Sequence, residues 1–285
     1  WKTAYDACEA ATVLFLRAYG GAMRARAQRP TAMLAMLQKL AALTPTHTRR
    51  SAESQSLQQF STPIPLGFVA AHAAAISRGD VVLEPSAGTG LLAIFAKLAG
   101  GALALNEWSE ARADLLSSLF PGVSVTRVDA AHIDDHLDSA FRPSVVLMNP
   151  PFTALAHVEA RVRDAGVRHI GSALARLQPG GRLVALIGAN VSPDAPAWRD
   201  TFVHLQQRAR LVFHAGIDGA IYAKHGTNME TRLLVFDKIA ADDPARFPAS
   251  PGMTPDAATL LKWVEATLPP RPPCADAALG VSIQS

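Results

Sequence analysis

From Asp80 to Gly90 the chain reads DVVLEPSAGTG. Val81, Val82 and Leu83 run straight into the acidic Glu84 and a glycine-rich turn, the pattern by which a buried parallel strand delivers a binding loop at its carboxyl end. Gly88 and Gly90 lack a Cβ, so the backbone can turn sharply and approach a ligand, and residues 91–98 supply the apolar face of a following helix. Strand, glycine turn and helix also occur in dehydrogenases and in structural crossovers. The stretch therefore restricts the fold to α/β before it names any ligand.

The same alternation continues downstream. Apolar segments predict strands at 102–105, 123–128, 145–148 and 182–187, with helices predicted over 109–120, 131–140 and 157–177. Two further strands, at 209–214 and 231–237, are separated by a polar loop too short for an ordinary helix, so they pair antiparallel. With the strand after Asp80 this makes an α/β fold, a doubly wound, mostly parallel seven-stranded sheet with an antiparallel closing strand. Ahead of it, helices predicted over Thr3–Tyr19 and Thr31–Leu43, with Pro30 and Pro45 at the ends of the second, form an N-terminal helical extension. The chain divides into residues 1–58 (helical extension and linker), 59–240 (the α/β domain) and 241–285. The last part reads as a Pro-rich connector over 242–255, a short helix over 257–268, and a partly disordered Pro-rich tail.

The 285 residues, 49% of them hydrophobic, suffice for one large soluble domain. A net charge of +3 permits a nucleic-acid partner without demanding one. The first 58 residues hold eight Lys and Arg against three acids, a bias that a solvated helical face also explains. Cys8 and Cys274 are far apart, which argues against a disulfide framework or a cysteine-rich metal site and for a reducing, cytoplasmic setting. No apolar run is long enough to span a bilayer, and no signal peptide is legible. The first residue is Trp1, so the chain is read as a piece of a longer polypeptide.

Four polar features close four successive strands: Glu84 with its glycine turn, Glu107, Asp129, and the tetrapeptide Asn149-Pro150-Pro151-Phe152. In a wound sheet that edge is where ligands bind, so all four should converge on one crevice. Glu107, about twenty residues past the turn, is placed to accept hydrogen bonds from ribose hydroxyls, and Asp129 could accept from the amine of a nucleobase. Any one of these acids could instead cap a helix or end a strand in solvent.

Together these residues resemble the class I S-adenosylmethionine-dependent methyltransferases, and within them the amino-methyltransferases that include DNA adenine-N6 enzymes. The likeness covers about residues 59–238 and rests on EPSAGTG at 84–90, NPPF at 149–152 and FSTP at 60–63. It implies a Rossmann-like methyltransferase fold with S-adenosylmethionine as cofactor. Phe60, Thr62, Pro63, Glu84, Ser86, Ala87, Gly88, Gly90, Glu107, Trp108, Asp129 and Ala130 would hold that cofactor. Asn149, Pro150, Pro151 and Phe152 would be catalytic: Asn149 and the Pro150 carbonyl accept the N–H bonds of the target amine, the prolines keep the backbone rigid, and Phe152 stacks on a flipped base. The segment 222–238 is similar to the strand-loop-strand that borders the base pocket, making Tyr222, His225 and Thr227 substrate-binding. Such chemistry needs no metal, and no His or Cys cluster with ligand spacing occurs.

The tetrapeptide begins with Asn rather than Asp and ends in Phe, a variant this superfamily also uses on RNA bases and, in part, on protein glutamine. DNA adenine is the first substrate reading, RNA or protein glutamine the second. A non-catalytic nucleic-acid-binding relative is the third. After Lys238 no sizeable recognition region remains, so specificity is low or comes from the basic N-terminal helices, a further domain or another subunit. Methyltransferase regions joined to helicase-like domains are a further resemblance.

Overall fold

The structure, a computed structural model, describes residues 2–46, 61–150 and 165–274. Helix α1 (Lys2–Ala27) runs well past the predicted end at Tyr19. Gly20 and Gly21 do not break it. At Gly20 a Cβ would stand 2.6 Å from Leu98 Cδ1, so this glycine lets the helix lie close against the domain. Ala10, Val13 and Leu16 are buried at helical spacing, and α2 (Pro30–Leu43), opened by Pro30, buries Met33, Leu34 and Leu37.

Helix α3 (Ile64–Ala73) precedes β1 (Val81–Glu84), and α4 (Ala93–Ala99) follows the glycine turn. Then come β2 (Ala102–Asn106), α5 (Glu110–Leu119), β3 (Val125–Thr126), a 3-10 turn over Ala130–His132 running into α6 (Ile133–His136), and β4 (Val145–Met148). Helix α7 (Ala165–Arg176), β5 (Arg182–Gly188), α8 (Pro196–Gln206), β6 (Arg210–Ile217), a 3-10 segment (Gly219–His225), β7 (Thr231–Asp237), β8 (Met253–Thr254) and α9 (Ala257–Thr267) complete the order.

The sheet runs β3-β2-β1-β4-β5-β7-β6-β8. The first five strands are mutually parallel, β7 lies antiparallel to both β5 and β6, and β8 is parallel to β6. Winding reverses between β1 and β4, which makes their carboxyl ends the switch point where a crevice must open. Strand alternation loads both faces. Val82, Val145, Leu147 and Val184 join the core beneath α1 to α5 and α9, whereas Leu83, Val146, Leu183 and Ala185 join the core beneath α7 and α8.

Several expectations change. Among the described residues the sheet has eight strands rather than seven, because Met253–Thr254 adds an edge strand inside the stretch read as connector; two residues are too few to show periodicity. The strand expected over 123–128 shrinks to Val125–Thr126 because the Val128 N–H is taken by the Asn106 side chain. The helix expected over 131–140 is two short turns, since Leu137 is already extended. Helix α8 gave no clear signal in advance. Of the Pro-rich tail, residues 269–274 are anchored: Arg182 donates to the Pro269 carbonyl at 3.0 Å and Arg271 pairs with Asp80 at 2.8 Å.

Candidate active site

The four strand ends lie along the carboxyl edge of the parallel strands, and Glu84 and Asn149, beside the β1/β4 switch point, border one cavity. Glu84, at the tip of β1, is 2% exposed, and its Oε2 has no hydrogen-bond partner among the described residues. Burial first, and then the charge of Glu107, push its carboxyl well above the usual carboxylate range against a backbone hydrogen bond from Ala93. A buried acid in this state gains from any cation brought beside it.

The turn that follows depends on its glycines for two reasons. Gly88 (φ 56) and Gly90 (φ 86) both adopt the left-handed region. A Cβ on Gly90 would also stand 2.5 Å from the Phe120 ring, so that position is fixed by packing as well as by conformation. Between them, Thr89 donates its hydroxyl to Glu9 Oε2 at 2.6 Å.

Glu107 is buried and spans two loops. Its Oε2 accepts the Gly88 N–H at 2.8 Å and its Oε1 accepts the Ser109 N–H at 2.9 Å. A carboxylate oxygen carries two acceptor sites, so these bonds orient the group without exhausting it. Neighbouring Asn106, 1% exposed, donates to the carbonyls of Pro85 (2.8 Å) and Val128 (2.9 Å) and accepts from Thr126 Oγ1 (2.8 Å) and the Val128 N–H (2.9 Å). One amide thereby ties together the loops after β1, β2 and β3.

Asp129 caps the 3-10 turn by accepting the Ala131 N–H at 2.9 Å, and it lies 3.3 Å from His132 Nδ1. Partial burial would raise its carboxyl, but the hydrogen bonds from Ala131 and His132 outweigh this and hold it below the usual range. Its side chain is half-exposed, with Ala130 buried beside it. Trp108 is 60% exposed at the rim. Thr62 and Pro63 are buried at the entry to α3, and Asn149 Nδ2 donates to Thr62 Oγ1 at 2.9 Å. Pro150 is buried next to it; Phe60, Pro151 and Phe152 lie outside the described residues.

The loop between β6 and β7 places its three expected residues differently. Tyr222 is wholly buried within the core, and burial pushes its hydroxyl up. Thr227 is nearly buried and accepts the Met229 N–H at 3.1 Å. His225 closes the 3-10 segment ahead of Gly226 (φ 74).

Sequence reasoning missed four residues here: Glu9, Thr89, Asn106 as the tie between three loops, and Arg112. Glu9 is buried, with burial pushing its carboxyl up, and Arg112 of α5 pairs with Asp6 of α1 at 2.7 Å. A signal existed. Asp6 and Glu9 fall on the same helical stripe as Val13 and Leu16, where an acid needs a partner. Glu84, Thr62, Gly88, Thr89, Arg112 and Asn149 border a cavity of about 30 Å³, room for about one water. A larger cavity of about 710 Å³ lies elsewhere, between the α1–α2 turn, α3 and the end of α9, and touches none of the strand-end residues. Among the described residues no group of three or more His, Cys, Asp or Glu could hold a metal, and no helix is long and apolar enough to cross a membrane.

The buried acids Glu9 and Glu107 lie within electrostatic reach of the Arg112 guanidinium, which is already paired with Asp6. The interior thus carries more acid than base, and Glu84 keeps an unsatisfied oxygen.

No family model matches the chain, and no curated protein matches it significantly. Solved structures do. The M protein of the type I restriction enzyme EcoKI is 20% identical over 67% of this chain, with a TM-score of 0.52. The chain spans only 46% of that protein's length. A proposed RNA methyltransferase from Pyrococcus horikoshii is 18% identical over 72% of this chain and 98% of its own, with a TM-score of 0.54. A proposed class I S-adenosylmethionine-dependent methyltransferase from Listeria monocytogenes is 14% identical over 83% of this chain and 77% of its own, with a TM-score of 0.55. At these identities the likeness establishes architecture, and the chain has the Rossmann-like fold of the class I methyltransferases.

Proposed function

We propose that the chain transfers a methyl group from S-adenosylmethionine to the exocyclic N6 amine of adenine in DNA. The observation that carries this reading is the meeting of Glu84, Glu107, Asp129 and Asn149 at one sheet edge, in an interior with more buried acid than base. When bound, the cofactor supplies an electrophilic methyl on a cationic sulfur. Glu84, with its unsatisfied Oε2, receives the ammonium of the methionine moiety. Glu107, held by Gly88 and Ser109, accepts from the ribose hydroxyls, and half-exposed Asp129 accepts from the adenine amine.

At the target, the lone pair of an aromatic amine is conjugated into the ring. Acceptors on its N–H bonds draw the nitrogen towards tetrahedral geometry and hold it in line for transfer. Asn149 and the Pro150 carbonyl take that role. By accepting from Nδ2, Thr62 commits the Asn149 amide to the orientation in which Oδ1 is its acceptor end. Phe152 stacks on the base, which in a duplex is flipped out at a cost of a few kcal/mol.

DNA as substrate is supported by the similarity to the type I restriction M protein, of whose length this chain spans 46%. RNA is the second reading. It is favoured by the Pyrococcus horikoshii structure, a proposed RNA methyltransferase that this chain covers almost end to end. The test is labelled methyl transfer to DNA, RNA and protein pools side by side, followed by nucleoside mass analysis. N6-methyladenine in DNA, abolished by Asn149→Ala, is the expected result. Label in RNA alone supports the second reading, and no label in any pool overturns both.

A further inference from the structure

Helix α1 reaches the candidate cofactor cavity through two polar pairs. Glu9 accepts from Thr89 of the glycine turn across 80 residues of sequence, and Asp6 takes Arg112 Nη2 at 2.7 Å and Nε at 3.4 Å across 106. Arg112 is 7% exposed and borders the cavity with Glu84, Thr62 and Asn149. Among the described residues that line the cavity, Arg112 is the one cation and Glu84 the one anion.

One acid and one guanidinium facing a single small space are the complement of a zwitterion. An α-amino acid head presents an ammonium and a carboxylate on one carbon, and burying either without its counter-charge is costly. The Asp6 fork occupies Nε and one Nη2 hydrogen of Arg112, leaving three of the five guanidinium donors for another acceptor. Asp6 also fixes the plane of the guanidinium, which acts at short range only when held in place.

We propose that Arg112 binds the carboxylate of the cofactor's amino-acid moiety, opposite Glu84 on its ammonium, and that Asp6 of α1 positions Arg112. This rests on the reading of the cavity as the S-adenosylmethionine site. The N-terminal helix is then part of the binding site rather than an appendage to it. With room for about one water, the cavity admits the amino-acid head only as the surrounding segments yield.

The test is calorimetry on the 285-residue chain with three probes: S-adenosylmethionine, its decarboxylated form, and 5′-methylthioadenosine, which lacks the amino-acid head. The expected result is a preference of roughly tenfold or more for S-adenosylmethionine over the decarboxylated form, the size of one charge-assisted hydrogen bond. Arg112→Gln erases that preference while leaving methylthioadenosine affinity intact, and Asp6→Asn narrows it. A purely structural role for Asp6 would weaken all three probes alike. Should Arg112→Gln not fold, Arg112→Lys decides, since it keeps the charge and loses the fork. A selective fall in S-adenosylmethionine affinity in that variant supports the assignment, and unchanged discrimination overturns it. Equal binding of the two cofactor forms to the unaltered chain overturns it alone; failure of all three probes to bind overturns the cofactor reading together with it.

Discussion

Glu84 is a buried acid whose environment works against its charge, and this has a consequence that can be signed. A carboxyl whose folded-state pKa is raised holds its proton more tightly folded than unfolded. Stability is therefore highest below the unfolded value of 4.5 and declines as pH rises through the raised folded value. Glu84→Gln removes that penalty. In urea unfolding without ligand, the variant should be the more stable by about 1 kcal/mol or more at about pH 8 and should lose its advantage at about pH 4. A variant that is less stable at about pH 8 would falsify this account of the residue. The same charge has the opposite use on binding. An ammonium favours the ionised acid, so affinity for S-adenosylhomocysteine should rise with pH, with release of a proton, and Glu84→Gln should lose that dependence.

Among the elements, α2 shows how a local signal and a distant contact share one helix. Its start at Pro30 and its stop just before Pro45 were legible because both follow from proline geometry. Its carboxyl-terminal cap was not. Lys224, 180 residues further on, donates its Nζ to the carbonyls of Ala41 (3.2 Å), Ala42 (2.9 Å) and Thr44 (3.3 Å). A cation at the negative end of a helix satisfies carbonyls that have no partner within it. The contact ties the loop between β6 and β7, read as a substrate-facing segment, to the N-terminal helices. Lys224→Met should cost about 1 kcal/mol in urea unfolding and speed amide hydrogen exchange over residues 38–44. Unchanged exchange there would show that the lysine carries no weight in the cap. Helix α1 illustrates the converse, running on past its expected end at Tyr19 through Gly20, which is a point of close approach to Leu98. Strand β8 escaped notice because two residues have no period.

At the scale of the whole molecule, topology explains what could be read and what could not. Strand ends are local features, and parallel winding brings them to one edge, so the positions of Glu84, Glu107, Asp129 and Asn149 at strand ends were legible without coordinates. Arg112, Glu9 and Asn106 act through partners 20 to 106 residues away, and no spacing rule reports such contacts. The N-terminal helices are the largest case. Val13, Leu16, Met33, Leu34 and Leu37 are each at most 4% exposed and belong to the same core as Ile64, Leu66 and Val69 of α3. At about 1.5–3 kcal/mol for each such side chain, their burial contributes about 7–15 kcal/mol, as much as the net stability of a typical domain. A chain beginning at residue 61 leaves the α3 face uncovered and removes Asp6 and Glu9, the partners of the cavity residues Arg112 and Thr89. It should show no cooperative thermal transition by circular dichroism and no binding of S-adenosylhomocysteine by calorimetry. A sharp transition with retained binding would instead make α1 and α2 a separable appendage.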